Sequence, residues 1–257
     1  MPEEMNPLPV SAWRDLLAHT GHRPYPLPAA PFLMTMSWHD LLFAHWPVRA
    51  DELRSLVPAS LELDLWEGEG WIGVVPFHMT QVGLPALNRL PWLSAFPELN
   101  VRTYVRRGGK PGVYFFSLDA ACWPAVLGAR ASFHLPYFWA RIARAAEGSG
   151  VRYESTRRVG PAASLRARYA PTGERMAITA GSLDDWLTAR YCLYATDAAG
   201  RVHRGEIHHL PWPLQPAQAE LDPAPMVRWA GLRLRDTPPI LHFARRLDVL
   251  AWAPVIA

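Results

Sequence analysis

Alternating apolar and polar residues predict a β-hairpin near the middle of the chain. In residues 100–105, "NVRTYV", Arg102 and Tyr104 point to the face of a strand opposite to the valines and the threonine. A second β-rich run, "GVYFFSLDA" (112–120), follows after "RRGGKPG". The glycines between the two runs suit a tight turn, so the pattern predicts two antiparallel strands joined there.

Apolar or alternating runs predict that most of the remaining chain also forms strands. Residues 34–46 form one long apolar run, and residues 61–83 form two strands around a Glu-Gly-Glu-Gly turn. Three prolines within 84–100 predict a loop instead, because proline lacks the N–H of a strand ladder. The other predicted strands are 125–135, 151–159, 164–171, 190–197, 201–210 and one or two strands within 238–254.

Capping residues and prolines predict a few short helices. Residues 11–19 have helical spacing, and residues 49–58 carry acidic residues in the first turn and a proline at the end. Residues 136–148 are predicted as a helix because they begin with a proline and end with a glycine. Residues 181–191 form another short helix, with Ser182 as its N-cap.

Together these elements predict an α+β fold with mainly antiparallel strands. Hydrophobic residues make up 50% of the 257, which is ample for a packed core. The chain contains no long linker and no repeat, so one domain is expected over residues 30–257, preceded by an N-terminal arm at residues 1–29.

Composition excludes several classes of partner. The formal net charge is only +3, and the basic stretch "RRGGK" sits at a predicted hairpin turn, so no nucleic-acid partner is predicted. No apolar run approaches the length of about 18 residues that a membrane span needs. Two cysteines and the lack of an export pattern favour a cytoplasmic protein. A small molecule is the remaining partner, and the oligomeric state is left open.

The histidines do not predict a metal site. His208 and His209 are adjacent on a predicted strand and therefore point to opposite faces, with His203 nearby. His39 and His45 would share a face of a continuous strand, where core or rim positions are commoner than metal ligation. The chain has no glycine-rich dinucleotide or phosphate loop, and no cofactor is predicted.

Charged, aromatic and amide side chains cluster around the central hairpin and the predicted strand that follows it. They are Glu98, Asn100, Arg102, Tyr104, Tyr114, Phe116, Arg130 and His134. If the strand faces that carry them converge, they line a partly polar cavity whose guanidinium groups suit a carboxylate. On an outer face of the sheet, the same side chains would be ordinary surface residues.

Several longer motifs follow one another along the chain: "LLFAHWPV", "LVPASLELD", "WIGVVPFHM", "FPELNVRTYV", "GVYFFSLDA", "ARASFHLPY", "GSLDDWLTARYCLY" and "HHLPWPL". This series, over roughly residues 30–255, resembles the YqjF-like family of uncharacterised bacterial proteins. That family is similar to the acetoacetate decarboxylase fold. The resemblance implies a closed or nearly closed antiparallel β structure with a central cavity and helices at its margin.

The more distant likeness to the decarboxylases extends to individual residues. Glu98 matches a glutamate in their cavity. Arg130 matches the arginine of their Gly-Arg-Glu motif, although Ala129 and Ala131 replace the flanking residues. The resemblance therefore implies that Glu98 and Arg130 belong to one site.

The same likeness excludes the reaction for which that fold is known. Six residues after the matched arginine the decarboxylases have Pro-Lys-Lys, and the first lysine forms a Schiff base with the keto acid. This chain has Pro136, Tyr137 and Phe138 there. A phenol cannot form an imine, and the only lysine, Lys110, is predicted at a hairpin tip. Schiff-base decarboxylation is therefore not expected.

Three hypotheses follow from the residues. In the first, the protein is an enzyme acting on a small carboxylate- or carbonyl-bearing molecule. Tyr137 or His134 is then the general acid or base, Glu98 is its partner, and Arg102 or Arg130 holds the anion. Neighbouring arginines would lower the pKa of the tyrosine. In the second, the same cavity is a non-catalytic sensor or carrier site. In the third, side chains fill the cavity and the residues serve structure only.

Overall fold

The computed structural model describes residues 10–84 and 94–257. The strands are β1 (Met34–Val48), β2 (Glu62–Leu63), β3 (Gly70–Gly83), β4 (Phe96–Arg107), β5 (Lys110–Ala120), β6 (Tyr137–Glu147), β7 (Gly150–Arg157), β8 (Ser164–Pro171), β9 (Cys192–Thr196), β10 (Val202–His208), β11 (Leu214–Leu221), β12 (Ile240–Ala251) and β13 (Val255–Ile256). The helices within these ranges are α1 (Val10–Ala18), α2 (Ala50–Arg54), α3 (Trp123–Phe133), α4 (Leu183–Thr188) and α5 (Ala224–Arg228).

The strands belong to one sheet that is nearly closed on itself. Its pairings run in the order β5-β6-β7-β8-β11-β12-β1-β3-β4 and return to β5. A second circuit runs from β5 to β9, from β9 to β10 and from β10 to β12. From β12 it returns to β5 through β1, β3 and β4, which belong to both circuits. Among the strands of residues 10–84 and 94–257, only the pairings of β5 with β6 and with β9 are parallel. The predicted α+β class, mainly antiparallel with a few helices, is confirmed.

The five strands that the two circuits share are β1, β3, β4, β5 and β12, and most residues on both of their faces are buried. This explains the uninterrupted apolar stretches at residues 41–44 of β1 and 71–75 of β3. One face, here called the apolar face, carries residues such as Val74, Leu99 and Val101. The opposite face, here called the polar face, also packs against apolar clusters, but it carries the polar side chains described below.

Strand β5 is the point where the sheet forks. One edge of β5 pairs along its length with β4. The other edge pairs first with β9, at Val113 and Tyr114, and then with β6, from Leu118 to Ala120. The two circuits separate between these pairings.

A buried ion pair lies beside the fork. Arg157 of β7 donates two hydrogen bonds to the carboxylate of Asp119 in β5, at 2.9 and 2.7 Å, and both side chains are fully buried. The guanidinium carbon lies 3.9 Å from the ring centroid of Phe138 and 4.8 Å from that of Trp229. The pair thus connects β5 and β7 across β6.

Two neighbouring elements have the opposite type to the one predicted. Residues 125–135 are predicted as a strand, but residues 125–133 belong to helix α3, whose first turn contains a proline. Residues 136–148 were expected to form a helix and instead contain strand β6. Gly148, with φ of 60°, is a hairpin turn residue between β6 and β7 rather than a helix end. Tyr137 therefore lies at a helix-to-strand junction.

The predicted face of His39 and His45 is also wrong, because Asp40 interrupts β1. Asp40 has a φ of 46°, and the register of β1 against β3 shifts by one residue between His39 and Ala44. Trp38 consequently packs in the same apolar cluster as Phe43, so His39 and His45 lie on opposite faces. His39 instead hydrogen-bonds Thr80 at 2.8 Å.

Most other predicted elements are confirmed, with local differences. Ser182 caps α4 by accepting a hydrogen bond from the backbone N–H of Asp185. Strand β4 begins at Phe96, inside the predicted loop, and residues 85–93 of that loop lie outside the described residues. The short β2 pairs with β4 rather than β3. Strands β11 and β13 and helix α5 were not predicted.

The N-terminal arm packs against the end of the sheet. Leu16 of α1 is buried with Leu250 and Trp252, and Arg23 donates to the carbonyl oxygen of Ile207 at 2.7 Å. Within residues 10–84 and 94–257, no helix combines the length and hydropathy that a membrane span requires.

The first prediction concerns the ion pair at the fork. Arg157→Met should lower the free energy of unfolding by about 3–5 kcal/mol, because it leaves the carboxylate of Asp119 buried without a partner. Arg152→Met is the matched control, since Arg152 lies on the same strand but is exposed, and it should change stability by less than about 0.5 kcal/mol. Urea unfolding of both variants measures the difference. Equal effects would show that the ion pair does not stabilise the fork.

Candidate functional site

Four polar residues of β4 share the polar face. They are Glu98, Asn100, Arg102 and Tyr104, here called the polar row, and all four are buried. The two-residue turn at Gly108 and Gly109 sets the register of these residues against β5, because it pairs Arg107 with Lys110 and so Tyr104 with Val113. The predicted alternation of Arg102 and Tyr104 on one face is confirmed.

Tyr114 and Phe116 do not join this row. Tyr114 pairs with Thr103, whose side chain is on the apolar face, and Phe116 is buried in the apolar-face cluster. The rings of Tyr114 and Phe116 pack edge to face, with centroids 5.8 Å apart. Phe116 is also the extra residue of a β-bulge opposite Val101 and Arg102. The register of the hairpin, which strand alternation alone does not determine, separates these rings from the polar row.

Tyr137 meets Glu98 across the fork. Parallel pairing with Leu118 places Tyr137 at the first position of β6, and its hydroxyl group donates a 2.8 Å hydrogen bond to Oε2 of Glu98. Asn100 donates a second hydrogen bond to the same carboxyl group. Of the three positions that the sequence matches to the decarboxylases, Glu98 and Tyr137 are therefore in direct contact.

Burial governs the protonation of this pair. It raises the pKa of Glu98 from 4.5 to about 8, despite the opposing hydrogen bonds from Tyr137 and Asn100. Burial, together with the neighbouring Glu98 carboxylate, also raises the pKa of Tyr137 well above 10. This shift is opposite to the lowering by arginines that the sequence suggested. At neutral pH, Tyr137 is thus a proton donor, and Glu98 is the group that can gain or lose a proton.

Arg102 is a buried cation without a carboxylate partner among the described residues. Only 9% of its surface is exposed. Its Nη2 donates to the carbonyl oxygen of Leu187 at 3.2 Å, whereas its Nε has no partner in that part of the chain. The guanidinium carbon lies 5.0 Å from the ring centroid of Phe43 and 5.8 Å from that of Tyr104. Such a charge normally requires a compensating anion.

Two histidines lie beside Arg102. Nε2 of His45 lies 2.7 Å from the hydroxyl oxygen of Tyr104, which itself donates to the carbonyl oxygen of Leu187 at 2.8 Å. His242 lies 3.1 Å from a carboxylate oxygen of Asp184. Burial, with the positive charge of Arg102, lowers the pKa of His45 well below 6.5, so its imidazole is neutral.

Several polar atoms of this face have no hydrogen-bond partner among the described residues. They are Nδ1 of His45, Nδ1 of His242, Oδ1 of Asn100 and Nε of Arg102. Buried polar atoms of folded proteins are nearly always paired with protein or water. Their concentration on one face of β4, β1 and β12 therefore makes this face the candidate site.

Sequence reasoning missed His242 and assigned no site role to His45. Their positions follow from long-range pairing, since His45 pairs with Gly73 of β3 and Phe43 pairs with His242 of β12. The absence of a side chain at Gly73 leaves room for both His45 and Arg102, because a Cβ there would lie 3.0 Å from His45 and 3.3 Å from Arg102. The one available signal was a histidine inside an otherwise apolar strand.

Arg130 and His134 lie outside this row. Arg130 is exposed in the last turn of α3, and His134 follows that helix with a φ of 53°. With Tyr114, they line a separate surface pocket of about 280 Å³. The predicted strand that would have placed them beside Arg102 is a helix, which explains the separation.

No group of three or more histidine, cysteine, aspartate or glutamate side chains within residues 10–84 and 94–257 is arranged to hold a metal ion. His208 and His209 are both buried, and each hydrogen-bonds a backbone carbonyl group at 2.7 Å. These two histidines therefore contribute to packing near the N-terminal arm.

Comparison with known proteins identifies the family. A model of the DUF2071 family, described as uncharacterised conserved proteins, matches residues 35–248. The chain belongs to the DUF2071 family. The uncharacterised protein YqjF of Bacillus subtilis is 45% identical over 226 residues, covering 88% of this chain and 93% of YqjF. The YqjF-like resemblance of the sequence is confirmed.

Solved structures place this DUF2071 protein in the acetoacetate decarboxylase fold. Acetoacetate decarboxylase from Legionella pneumophila superposes with a TM-score of 0.61 at 15% identity, over 92% of this chain and 93% of that chain. The enduracididine biosynthesis enzyme MppR complexed with pyruvate gives 0.61 at 12% identity, over 92% and 97%. Identities this low establish a common fold and leave the reaction open.

The second prediction tests the protonation of Glu98. Because its pKa is higher in the folded protein than the ordinary value of 4.5, the folded state holds an extra proton between pH 4.5 and about 8. The free energy of unfolding is therefore fully retained below pH 4.5 and falls as the pH rises toward 8. Glu98→Gln stays neutral and should gain on the order of 3 kcal/mol relative to the natural protein between pH 5 and pH 9.

Urea unfolding of both proteins across this pH range measures the gain. Glu154→Gln is the control, because Glu154 is exposed on β7. A pH-independent difference for Glu98→Gln would show that the carboxyl group titrates normally.

Proposed function

We propose that this DUF2071 protein binds a small carboxylate-bearing molecule at the polar face and acts on its carbonyl group by acid–base chemistry. The observation that carries the proposal is the buried, unpaired guanidinium of Arg102 beside other polar atoms without partners. A carboxylate accepts two hydrogen bonds from one guanidinium and supplies the missing negative charge. The complex of MppR with pyruvate, which has the same fold, supports a small keto acid as the class of ligand.

Glu98 is the proposed acid–base group. A pKa of about 8 places its proton transfer near physiological pH, where general acid–base catalysis is most effective. Tyr137 and Asn100 hold its carboxyl group by hydrogen bonds. Tyr137 therefore orients Glu98 and stays protonated while Glu98 exchanges its proton with the ligand.

Imine chemistry is not part of the proposal. Lys110, the only lysine of the chain, pairs with Arg107 at the turn of the β4–β5 hairpin. Its Nζ lies 3.0 Å from a carboxylate oxygen of Glu206 and 4.5 Å from the ring centroid of Tyr25. The only side-chain amine is thus held near the N-terminal arm, in contacts that do not include Glu98 or Arg102.

A second candidate function is a non-catalytic carrier or sensor. It is favoured by the pairing that Glu98 already has, since two side chains of the protein occupy its carboxyl group. Aromatic rings also pack closely on the polar face. The ring centroids of Trp186 and Tyr104 are 4.6 Å apart, and those of Trp212 and Phe43 are 4.8 Å apart. In this alternative the ligand binds at Arg102 and no proton moves.

The third prediction tests binding. Pyruvate at millimolar concentration should raise the melting temperature of the natural protein, and acetone, which lacks the carboxylate, should not. Arg102→Gln should abolish the pyruvate effect, because the amide cannot form the charged bidentate contact. Arg152→Gln, which removes an exposed charge, should leave it unchanged. Equal shifts in Arg102→Gln and the natural protein would contradict the proposal.

The fourth prediction separates catalysis from carriage. In D₂O, Glu98 should remove a methyl proton from bound pyruvate, and the resulting enolate should take back a deuteron. The exchange rate, followed by proton NMR, should rise with pH toward about 8 and then level off, because the ionised form of Glu98 is the base.

Glu98→Gln should bind pyruvate without catalysing this exchange. If the natural protein binds pyruvate but exchanges its protons no faster than buffer does, the carrier function is the correct one.

A further inference from the structure

A surface pocket at the fork of the sheet shares residues with the apolar cluster that covers part of the polar face. The proposed function does not involve this pocket. It lies where β9 and β6 leave β5, and its lining includes Phe115 of β5, Leu135 and Pro136 before β6, and Ala195 of β9. The pocket holds about 280 Å³, enough for a small organic anion.

The floor of this pocket belongs to the apolar cluster that covers part of the polar face. Phe115 and Leu135 pack in the same cluster as Leu118 and Tyr104, and Tyr137 packs against it. The backbone N–H of Leu118 donates to the carbonyl oxygen of Pro136 at 3.1 Å. The side chains of Phe115 and Leu135 therefore belong both to the pocket floor and to the interior cluster that contains Tyr137.

The mouth of the pocket favours an anion. Arg130 is exposed and has no ion-pair partner in the described ranges. The imidazole of His134 packs on that of His203, with ring centroids 4.5 Å apart. The one carboxylate of the lining, Asp197, already accepts hydrogen bonds from the backbone N–H groups of Ala199 and Arg201 and from the side chain of Arg201, and His203 lies 3.0 Å from it.

The segment between mouth and floor is short and contains a strained residue. His134 has a φ of 53°, in the left-handed region that costs a non-glycine residue about 1 kcal/mol. Leu135 follows it directly, and its carbonyl oxygen accepts a hydrogen bond from the backbone N–H of Tyr137 at 2.8 Å. A change of backbone conformation at His134 would displace Leu135 without breaking the pairing of β6. Strained residues of this kind concentrate at functional segments.

From this geometry we propose that the pocket is the entrance to the polar face. Arg130 draws the carboxylate ligand to the mouth, and Leu135 is the gate that moves aside to admit it. The inference rests on the proposed function in taking the ligand to be an anion that binds at the polar face. The entrance also gives a role to Arg130 and His134, which line the pocket and lie outside the polar row.

A buried thiol behind the gate tests the entrance without any ligand. In a background with Cys122 and Cys192 replaced by alanine, Leu118→Cys places a thiol in the interior cluster. The anionic reagent methanethiosulfonate ethylsulfonate should modify it in native buffer, at a rate that a low concentration of urea does not change. Mass spectrometry measures the rate.

Two further substitutions locate the route. Arg130→Glu should slow the anionic reagent about fivefold or more at low salt and speed its cationic trimethylammonium analogue, and both effects should fade in 0.5 M NaCl, where the Debye length is only about 4 Å. Leu135→Trp should slow both reagents at every salt concentration. Arg152→Glu, an equal charge change at an exposed site on β7, should alter neither.

Two results would overturn the entrance: a thiol that reacts only as fast as global unfolding allows, or equal rates in Arg130→Glu and the background protein. These outcomes are independent of the pyruvate experiment. Loss of pyruvate binding in the natural protein would contradict the proposed function while leaving the thiol rates to decide the entrance.

Discussion

At the fork, β5 pairs with three different strands, and the burial of the central strands follows from this pairing. A strand has two edges, and β5 gives one edge to β4 and divides the other between β9 and β6. Because the division makes two circuits of strands, most of both faces of the five shared strands is covered, and exposed charged residues such as Arg106, Arg245 and Arg246 are exceptions. A polar side chain in the middle of β4 is therefore buried on either face, and it normally needs a hydrogen-bond partner there.

Burial of β4 determines the protonation and pairing of the polar row. Glu98 and Arg102 lie on the same strand and face, yet the described contacts pair neither with the other. Glu98 instead keeps its proton because it is buried, and Arg102 has no carboxylate partner within residues 10–84 and 94–257. A protein optimised only for stability would replace an unpaired buried cation by an apolar side chain. Retention of both groups on one face is the physical basis for assigning a ligand to it.

Local pattern predicted the strands with two buried faces well, because their long apolar runs and the glycine turn at 108–109 are local signals. It failed at α3 and β6, where composition and tertiary structure disagree. Residues 137–147 are rich in alanine and arginine, which are good helix formers, but the glycine turn that follows pairs them with β7 instead. The exchange of these two elements moved Arg130 and His134 away from the site that the sequence predicted.

The candidate site was predictable only in part for a related reason. Glu98, Asn100, Arg102 and Tyr104 share a face by simple alternation, which a sequence displays directly. Phe116 lies outside the candidate site because of a β-bulge in β5. His242 lies in the site because β12 pairs with β1, which is distant in sequence. Only the family resemblance indicated that Glu98 and Tyr137 belong to one site, because no local sequence pattern relates two residues so far apart in the chain.

The pairing of β1 has a consequence for how the chain reaches this structure. Strand β3 covers one edge of β1 soon after both are made, but the other edge pairs with β12, and Leu42 is paired with Phe243 about 200 residues later. During synthesis, that edge of β1 has no strand partner until β12 has left the ribosome. Strand contacts so distant in sequence slow folding, and an uncovered edge invites pairing between chains. Truncation before β12 should therefore produce aggregation rather than a smaller folded protein, and chaperone dependence during synthesis is the expected cost of this topology.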